Sequence, residues 1–394
     1  MKHIYMDYAA TTPAAPEVIE AMMPYFRNKP GNPSSIHSMG QEGRDGVEAA
    51  RAQVASLIRC QPSSVVFTGC GTEADNQAIK GVCIANRERG NHIITTSIEH
   101  HAVQYTCEFM KSMGVEVTVV PVDKYGMVDP SDIKKAITNK TLLVSVMHAN
   151  NEVGTVQPIE EIGKITREAG VYFHVDAVQT FGHLPIDVDK LGIDLLAASG
   201  HKLYGPKGVG MLYIRPDTRV APLLHGGEQE EERRAGTENV PGIVGFGKAI
   251  EMAQLGMKKE AEMLTGFRDR LIESILGHVG DTYLNGHPTK RLPNNVNFSF
   301  DFIEGESILM YLDAEGICAS TGSACSSASS EPSHVLTAMG IPVERARGSL
   351  RLTMGKWTTH EEVDKVIEAL PRIVAKLREM SPLVKERCGW ISYL

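Results

Sequence analysis

The side chains of this chain that could do chemistry lie directly after short apolar runs. One run ends in Ser199-Gly-His201-Lys202, which places a lysine among glycines, and another ends at Asp176. A lysine in a partly desolvated pocket can form a Schiff base with an aldehyde. A carboxylate that faces a pyridine nitrogen keeps this nitrogen protonated, so that the ring accepts electrons from a carbanion. Lys202 and Asp176 together therefore predict a pyridoxal phosphate site.

Two further segments bear on a cofactor site: one contains a rival lysine, and the other is a glycine-rich turn that could bind phosphate. Lys207 lies in Pro-Lys-Gly-Val-Gly, which is typical of a turn that enters a strand, so position favours Lys202 as the cofactor lysine. The segment Gly69-Cys-Gly71-Thr72 opens onto a helix start, and first-turn amides bind phosphate well. Alone this segment is weak evidence, because Thr-x-x-Asp is also a common capping box.

Further polar residues follow the other apolar runs. In open α/β sheets the ligand lies beyond the carboxyl ends of the strands, so we expect these side chains to converge at one edge. Singly, a strand-end aspartate is more often a helix cap, and a lone histidine is more often structural, so the convergence carries the argument. These residues are Glu99, His100, His101, His148, Asn150, Asn151, Glu152 and Gln179.

The elements that position these residues alternate between about residue 60 and residue 215. Helical patterns lie between strand-like runs, and this alternation predicts an α/β fold with a mostly parallel sheet sandwiched by helices. One such helix covers 158–169, with Pro158 at its start and Gly170 at its stop. Seven strands are predicted, at residues 65–67, 92–95, 115–120, 142–147, 171–175, 194–198 and 209–214.

From about residue 241 the order of helical and strand-like patterns changes. Helical segments and strands, including strands at 295–300 and 349–353, predict a smaller α+β domain. Thr358 and Glu361 have the spacing of a capping box for a last helix at about 359–380. The expected division is a large cofactor-binding domain of residues 15–258 and a small domain of residues 1–14 plus 259–394, with a small-residue loop at about 320–331.

Composition excludes several classes of protein. The 394 residues are 42% hydrophobic and 22% charged, as in ordinary globular proteins. The net charge of −8 argues against nucleic acid as a partner. No apolar run approaches the roughly 18 residues of a spanning helix, and the first residues lack the apolar stretch of a signal peptide. We therefore expect a cytoplasmic protein with no membrane partner.

The seven cysteines are scattered and form no Cys-x-x-Cys pair, so neither a disulfide framework nor a metal site is predicted. Six of them are interpreted as small buried apolar side chains. Cys325 differs, because its neighbours are Ser, Ala and Gly, which bury little area and are typical of a mobile loop. A buried apolar Cys325 would be expected to have larger neighbours.

Nine ordered segments carry a resemblance that chance makes implausible. They are Tyr8-Ala-Ala-Thr-Thr12, Gly31-Asn-Pro-Ser-Ser-Ile-His37, Cys70-Gly-Thr-Glu-Ala-Asp75, Glu99-His-His-Ala102, Ala149-Asn-Asn-Glu-Val-Gly154, His174-Val-Asp-Ala-Val-Gln179, Ser199-Gly-His-Lys202, Arg234-Ala-Gly-Thr-Glu-Asn239 and Gly322-Ser-Ala-Cys-Ser326. With them, nearly the whole chain resembles the cysteine desulfurases of the NifS/IscS type, which belong to the aminotransferase class V group of fold-type I pyridoxal phosphate enzymes.

This resemblance implies roles for residues around the cofactor ring. Lys202 would hold the cofactor covalently and Asp176 would face its pyridinium nitrogen. Gln179 would contact the ring hydroxyl, while His100 would stack on the ring and move protons. The cofactor phosphate would be held by Gly71, Thr72, Ser199 and His201, joined by Thr237 from the partner subunit. The last role requires a homodimer.

The resemblance also implies a substrate site for L-cysteine and a nucleophile. Asn151, which would also contact the cofactor, and Arg351 would orient the substrate carboxylate, for which a guanidinium fork is suited. The Cys325 thiolate would attack the substrate sulfur, leaving alanine and an enzyme persulfide. The sulfur would pass to a scaffold protein for iron–sulfur cluster assembly or to another acceptor, with residues 376–394 as a docking candidate by analogy.

Three positions depart from the family pattern. Tyr8 replaces the usual Asn, Glu228 replaces a His that commonly follows Gly-Gly, and His101 follows the matched histidine. Only His101 affects a named role. Adjacent side chains of an extended segment point in opposite directions, so one histidine alone can stack on the ring, and we expect it to be His100 because it directly follows Glu99.

Several alternative functions are weighed against this one. A selenocysteine lyase or a second-group desulfurase carries Arg-x-Gly-x-x-Cys-Ala-x-Pro around the nucleophile, which the chain lacks. An aminotransferase of the class would have no use for Cys325. A sulfur or iron carrier without catalytic activity would be colourless or brown rather than yellow. A Rossmann dehydrogenase is discarded, because Gly69-Cys-Gly71-Thr72 lacks the third glycine of the dinucleotide fingerprint.

Overall fold

A computed structural model describes residues 3–322 and 332–382 of the chain. The strands are β1 (Ile4–Tyr5), β2 (Val65–Thr68), β3 (His92–Thr96), β4 (Glu116–Val120), β5 (Thr141–Ser145), β6 (Tyr172–Asp176), β7 (Leu195–Ser199), β8 (Gly210–Ile214), β9 (Thr282–Leu284), β10 (Asn295–Phe300), β11 (Ile317–Cys318) and β12 (Ser349–Thr353). The helices are α1 (Pro16–Arg27), α2 (Ser38–Ile58), α3 (Gly71–Ala85), α4 (His101–Ser112), α5 (Pro130–Ala136), α6 (Ile159–Ala169), α7 (Val240–His278), α8 (Gly305–Ala314), α9 (His334–Ala338), α10 (Val343–Arg347) and α11 (His360–Met380).

The largest sheet has seven strands in the order β2-β8-β7-β6-β5-β3-β4. Its strands from β7 to β4 are parallel, and β8 runs antiparallel to both of its neighbours. The predicted seven-stranded, mostly parallel sheet is therefore confirmed. The strand bounds differ from those predicted by only one or two residues, because several strands include a polar residue, such as Thr68, Asp176 or Ser199, just beyond the apolar run.

Helices cover both faces of this sheet because neighbouring strand residues point to opposite sides. Val66 and Leu195 pack with residues of α3 and α4, whereas Phe67 and Leu196 pack with residues of α2, α6 and α7. Each helix buries one apolar stripe and leaves its polar face outside. The predicted sandwich of helices around the sheet is confirmed.

A second core lies around the antiparallel strands β12-β10-β9, which are covered by α8, α11 and the second half of α7. The predicted strands at 295–300 and 349–353 are present, whereas β9 was not predicted. The first half of α7 packs in the core of the large sheet, so this helix joins the two cores. The suggested domain boundary at residue 258 falls within α7, and the division itself stays a prediction.

The N-terminal residues contact both parts of the molecule. Ile4 and Tyr5 form a parallel pair with β11, and Asp7 forms a bridge with Thr353 of β12. Further along, Thr12 bonds to the carbonyl of His201, beyond the end of β7. The segment 7–12 therefore crosses the space between the two sheets.

The predicted capping box of the last helix is wrong by one residue. Thr359 is the N-cap of α11, and it exchanges hydrogen bonds with Glu362. The hydroxyl of Thr358 instead accepts a hydrogen bond from Gly355 N–H and closes the preceding turn. Within residues 3–322 and 332–382, no helix combines the length and the apolar character needed to cross a membrane.

Candidate active site

A cleft of about 230 Å³ opens at the carboxyl ends of the strands of the large sheet. Lys202 and Asp176 both line it, although they follow different strands. Lys207 does not line this cleft and is exposed. Residues predicted for the site from several segments also line the cleft, namely Gly71, Thr72, His100, Asn151, Gln179, Ser199, His201 and Arg351.

The ammonium and carboxylate groups of the cleft are held by backbone groups. Lys202 Nζ donates to the carbonyls of Ala9 at 2.6 Å and Ala10 at 2.7 Å. Asp176 Oδ1 accepts a hydrogen bond from Val178 N–H at 2.9 Å. Burial raises the pKa of Asp176 to about 6, and the Val178 amide and the Lys202 charge oppose this rise. The two groups are thus fixed before any ligand binds.

The N-terminus of α3 forms the end of the cleft that suits an anion. Its N-cap residue, Cys70, makes no side-chain capping bond, so the first amides of the helix remain available. A Cβ on Gly71 would lie 2.6 Å from Val178 Cγ2, so only glycine leaves this end open. Buried Ser199 Oγ has no hydrogen-bond partner within the described residues. This end of the cleft therefore fits a phosphate group.

The cleft as a whole fits pyridoxal phosphate. The phosphate would lie at the N-terminus of α3, near Ser199 and His201, while Asp176 would face the ring nitrogen and Lys202 the aldehyde. Gln179 Nε2 donates to the carbonyl of Ala9, which holds the amide at the same edge. Gly71, Thr72, Asp176, Gln179, Ser199, His201 and Lys202 therefore share one cleft, and their individual roles stay a prediction.

The two adjacent histidines are arranged differently from the expected extended segment. His100 is the N-cap of α4, its Nδ1 accepts the amide of Ala102, and both His100 and His101 line the cleft. The reason given for choosing between them is therefore wrong, because the chain turns into a helix here. His101 stacks on Tyr105 with the ring planes 5° apart and contacts His334. Burial, Lys202 and His334 lower the pKa of His100 to about 4.

Buried carboxyl groups surround Asp176. Asp75 lines the cleft, and burial together with the charges of Asp176 and Glu99 raises its pKa. Burial raises the pKa of Glu99 to about 8, although Thr96 and the Met147 amide bond to its carboxylate. Burial and mutual repulsion thus disfavour simultaneous ionisation of these three carboxyl groups.

Arg351 lies on the other side of the cleft, on β12. It is only 2% exposed, and its guanidinium donates to Asp7 Oδ1 at 2.8 Å and to the carbonyl of Asn151 at 2.9 Å. Its Nε has no partner within the described residues. A guanidinium held in this way can bind a carboxylate through a fork of donors.

Two predicted residues do not lie in the described cleft. Thr237 lines a separate pocket with Gly69, Arg234 and Gly236. Cys325 lies in residues 323–331, outside the described residues, and so does most of the predicted loop at 320–331. The C-terminal docking candidate, residues 376–394, is described only as far as residue 382.

Sequence reasoning missed three residues of the cleft region. Asp7 bonds to Arg351, His334 lines the cleft and bonds to the carbonyl of Glu99, and Ala10 accepts from Lys202. Asp7 and Arg351 are 344 positions apart, and no spacing within the chain signals such a contact. His334 follows the small-residue loop by only a few positions, which is the one signal that pointed to it.

The family model for aminotransferase class-V matches residues 4–366, and the chain belongs to this family. A cysteine desulfurase IscS of Dictyoglomus turgidum is 55% identical over 98% of this chain and 98% of its own. A cysteine desulfurase IscS of Methanosarcina thermophila is 57% identical over 97% of this chain and 94% of its own.

Solved structures give the same result. A NifS-like protein superimposes with a TM-score of 0.89 at 38% identity, over 95% of this chain and all of its own. A structure described as SspA in complex with cysteine has a TM-score of 0.80 at 37% identity, over 90% of this chain and 99% of its own. The predicted fold-type I architecture, the resemblance to NifS/IscS proteins and the pyridoxal phosphate cofactor of this enzyme class are confirmed.

Proposed function

We propose that the chain is a pyridoxal phosphate-dependent cysteine desulfurase that converts L-cysteine to L-alanine and holds the sulfur as a persulfide. The observation that carries this proposal is the meeting of Lys202, Asp176 and Arg351 in one cleft that ends at the N-terminus of α3. The activity predicted from the sequence is confirmed by relatives of this name that match nearly the full chain.

Different residues of the cleft bind the substrate and handle protons. Arg351 binds the substrate carboxylate, and Asn151, whose carbonyl holds the Arg351 guanidinium, lies beside it. Electron withdrawal from the substrate α-carbon is the chemistry that bound pyridoxal phosphate supplies. His100 is neutral at physiological pH, because its pKa is near 4, and its Nδ1 accepts the Ala102 amide, so its Nε2 carries the ring hydrogen and can donate a hydrogen bond. Lys202 Nζ, beside Asp176, carries a proton to or from the α-carbon.

Cys325 is the sulfur acceptor of the proposal. Its thiolate attacks the substrate sulfur, a sulfur–sulfur bond forms and the carbon–sulfur bond breaks. The electron pair of the broken bond stays on the carbon side, which takes up a proton and leaves as alanine. The support is the sequence of small residues around Cys325 and the position of Gly322, which lines the cleft directly before the undescribed segment.

We further propose a homodimer, a sulfur acceptor and a division into two domains. The enzyme is a homodimer in which Thr237 of each subunit would help to hold the cofactor phosphate of the other. Within a single chain, Thr237 lines a pocket separate from the cleft. The sulfur passes to a scaffold protein for iron–sulfur cluster assembly or to another sulfur carrier in the cytoplasm. The two domains divide at residue 258, near the middle of α7.

A visible spectrum before and after addition of L-cysteine tests the function. A yellow protein that yields alanine and gains one sulfur on Cys325, located by mass spectrometry, is the expected result. Cys325→Ser should keep the cofactor spectrum and form no persulfide. Sulfide release at the normal rate by this variant would contradict the assignment of the nucleophile. A keto acid without a persulfide would indicate an aminotransferase, and a preference for selenocysteine would indicate a lyase.

A further inference from the structure

An acidic side chain lies at the end of the cleft that suits an anion. Glu73 is in the first turn of α3, and its Oε2 accepts a hydrogen bond from Gly69 N–H at 2.8 Å. Its side chain is only 17% exposed. A carboxylate at a helix N-terminus is attracted by the same amides that bind a phosphate, and two anions placed there repel each other. Glu73 therefore opposes phosphate binding unless its charge is compensated.

Arg234 compensates this charge from a distant part of the chain. Its Nε donates to Glu73 Oε1 at 2.8 Å, and its Nη2 approaches Glu73 Oε2 at 3.5 Å. The Arg234 side chain is 21% exposed, and salt screens a partly buried pair of this kind less than an exposed one. These bonds hold the carboxylate at the Gly69 amide, which precedes α3, and leave the amides of the first turn available.

The segment that carries Arg234 is anchored along β2. Glu230 is 7% exposed, accepts two hydrogen bonds from the Arg51 guanidinium at 2.8 and 2.9 Å, and accepts Phe67 N–H at 2.9 Å. Arg51 also donates to the carbonyl of Val65 at 2.7 Å. Since β2 is an edge strand of the large sheet, this buried ion pair satisfies backbone groups that no further strand of the sheet bonds. The segment is therefore fixed to the strand that leads into the cleft.

The backbone of this segment is strained. The three successive glutamates 230–232 have φ values from +49° to +62°, a region that residues with a Cβ rarely occupy. Such a conformation is costly and persists only where the surrounding contacts require it. The carbonyl of Arg233, directly before Arg234, accepts a hydrogen bond from Gln77 Nε2 of α3 at 2.8 Å. Contacts with both β2 and α3 thus determine where Arg234 lies.

We propose that Arg234 is a positioning residue for the cofactor phosphate. It holds the Glu73 carboxylate at Gly69 and compensates its charge, so that the first amides of α3 can bind the phosphate. Arg234 does not line the cleft, and it acts through Glu73 rather than by contact with the cofactor. The inference rests on the proposed position of the phosphate at the N-terminus of α3.

The test compares pyridoxal phosphate with pyridoxal, which lacks the phosphate, in binding to the full chain after removal of the cofactor. In Arg234→Gln, the dissociation constant of pyridoxal phosphate, measured by visible absorption, should rise about tenfold or more, because an uncompensated carboxylate repels the phosphate. The constant for pyridoxal should change less than about twofold, because it has no charge to be repelled. Arg234→Lys retains the charge and should keep most of the affinity.

The matched control is Arg372→Gln. Arg372 is also paired with a glutamate, Glu315, but it lies outside the cleft, so both dissociation constants should stay as in the unchanged protein. A double variant, Glu73→Gln with Arg234→Gln, removes both charges, and glutamine can still accept the Gly69 amide. Its affinity for pyridoxal phosphate should return to within about threefold of that of the unchanged protein, because the two side chains act as a pair.

Two results would overturn the inference. One is an equal loss of affinity for pyridoxal phosphate and pyridoxal in Arg234→Gln, which is expected if Arg234 only supports the fold. The other is a double variant that binds pyridoxal phosphate as weakly as Arg234→Gln, since the Glu73 charge would then not be the cause. If these binding results are as expected but the unchanged protein forms no persulfide from L-cysteine, the proposed function fails and the role of Arg234 stands.

Discussion

The floor and the side wall of the cleft are built in different ways. The floor consists of Lys202, Asp176 and the N-terminus of α3, which all follow strands of one sheet. The side wall consists of Arg351 with Asp7 and Asn151, which come from the smaller sheet, the N-terminal segment and the turn after β5. The floor residues thus follow strands of one sheet, with the Lys202 ammonium held by the N-terminal segment, whereas the side wall exists only where three segments meet.

This difference separates two tasks. A cofactor that stays bound through many turnovers is suited by a rigid floor whose groups are fixed in advance. A substrate must enter and leave in each turnover. A side wall built from several segments suits this, because small shifts of these segments change how tightly the substrate is held. Changes to the floor should therefore abolish function, and changes to the wall should weaken substrate binding.

The largest effect is expected from Lys202→Ala. Removal of the amine that holds the cofactor should lower turnover about 10⁴-fold or more, as for other covalent catalysts. Lys207→Ala is the matched control, since Lys207 is exposed and lies outside the cleft. Turnover and a borohydride-reduced peptide map are the measurements. A cofactor attached to Lys207 would show that Lys202 is not the residue that holds the cofactor.

Arg351→Lys should weaken the side wall without touching the floor. Lysine lacks the planar fork of donors, so we expect KM for L-cysteine to rise about 10- to 100-fold with a smaller change in kcat. Binding of cysteamine, which has no carboxylate, should be the same in both proteins, as measured from the cofactor spectrum. Equally weakened binding of L-cysteine and cysteamine would show that Arg351 supports the side wall but does not bind the substrate carboxylate.

The smallest effect is one on stability, from Asp176→Asn. The folded pKa of Asp176 is about 6 against an ordinary value of 3.8, so between these values the folded state holds a proton that the unfolded state has lost. The free energy of unfolding therefore falls as the pH rises through this window. In the cofactor-free protein at pH 7.5, the variant should be more stable by about 1–3 kcal/mol. Below pH 4 this gain should disappear.

Denaturant unfolding at both pH values measures this change. Asp187→Asn is the control, because backbone amides and Arg59 lower the pKa of this half-buried aspartate, so its removal should give no gain at pH 7.5. If Asp176→Asn lowers the free energy of unfolding at pH 7.5, the attraction between Asp176 and Lys202 stabilises the floor by more than burial of the Asp176 charge destabilises it. The floor would then resemble the side wall, whose Arg351 is paired with Asp7.

The sequence predicted the floor better than the wall for a physical reason. Parallel strands bring their carboxyl ends to one edge, so a polar residue that directly follows an apolar run can be placed there without knowing the rest of the fold. Lys202, Asp176 and Thr72 were located in this way. Arg351 lies within a strand, among apolar neighbours, and only the family resemblance singled it out.

Contacts between distant segments account for what was missed. The bond from Asp7 to Arg351 depends on how β1 and β12 are placed, and neither residue carries a local signal for it. The capping box shifted by one position because Thr358 and Thr359 are both suitable caps, and the turn at Gly355 takes the hydroxyl of Thr358. The argument for His100 assumed an extended segment, whereas α4 begins at His101 and both histidines line the cleft, so the choice of His100 stays a prediction.

The long helix α7 also constrains which changes the chain can accept. Its residues up to Ile250 pack in one core and those from Leu264 in the other, and none of residues 251–263 is buried. Replacing an exposed residue of this middle stretch, such as Leu255, should alter little. Deleting one, however, would rotate everything beyond it by about 100° and shorten the helix by about 1.5 Å. The number of residues in this stretch is therefore fixed far more strictly than their identity.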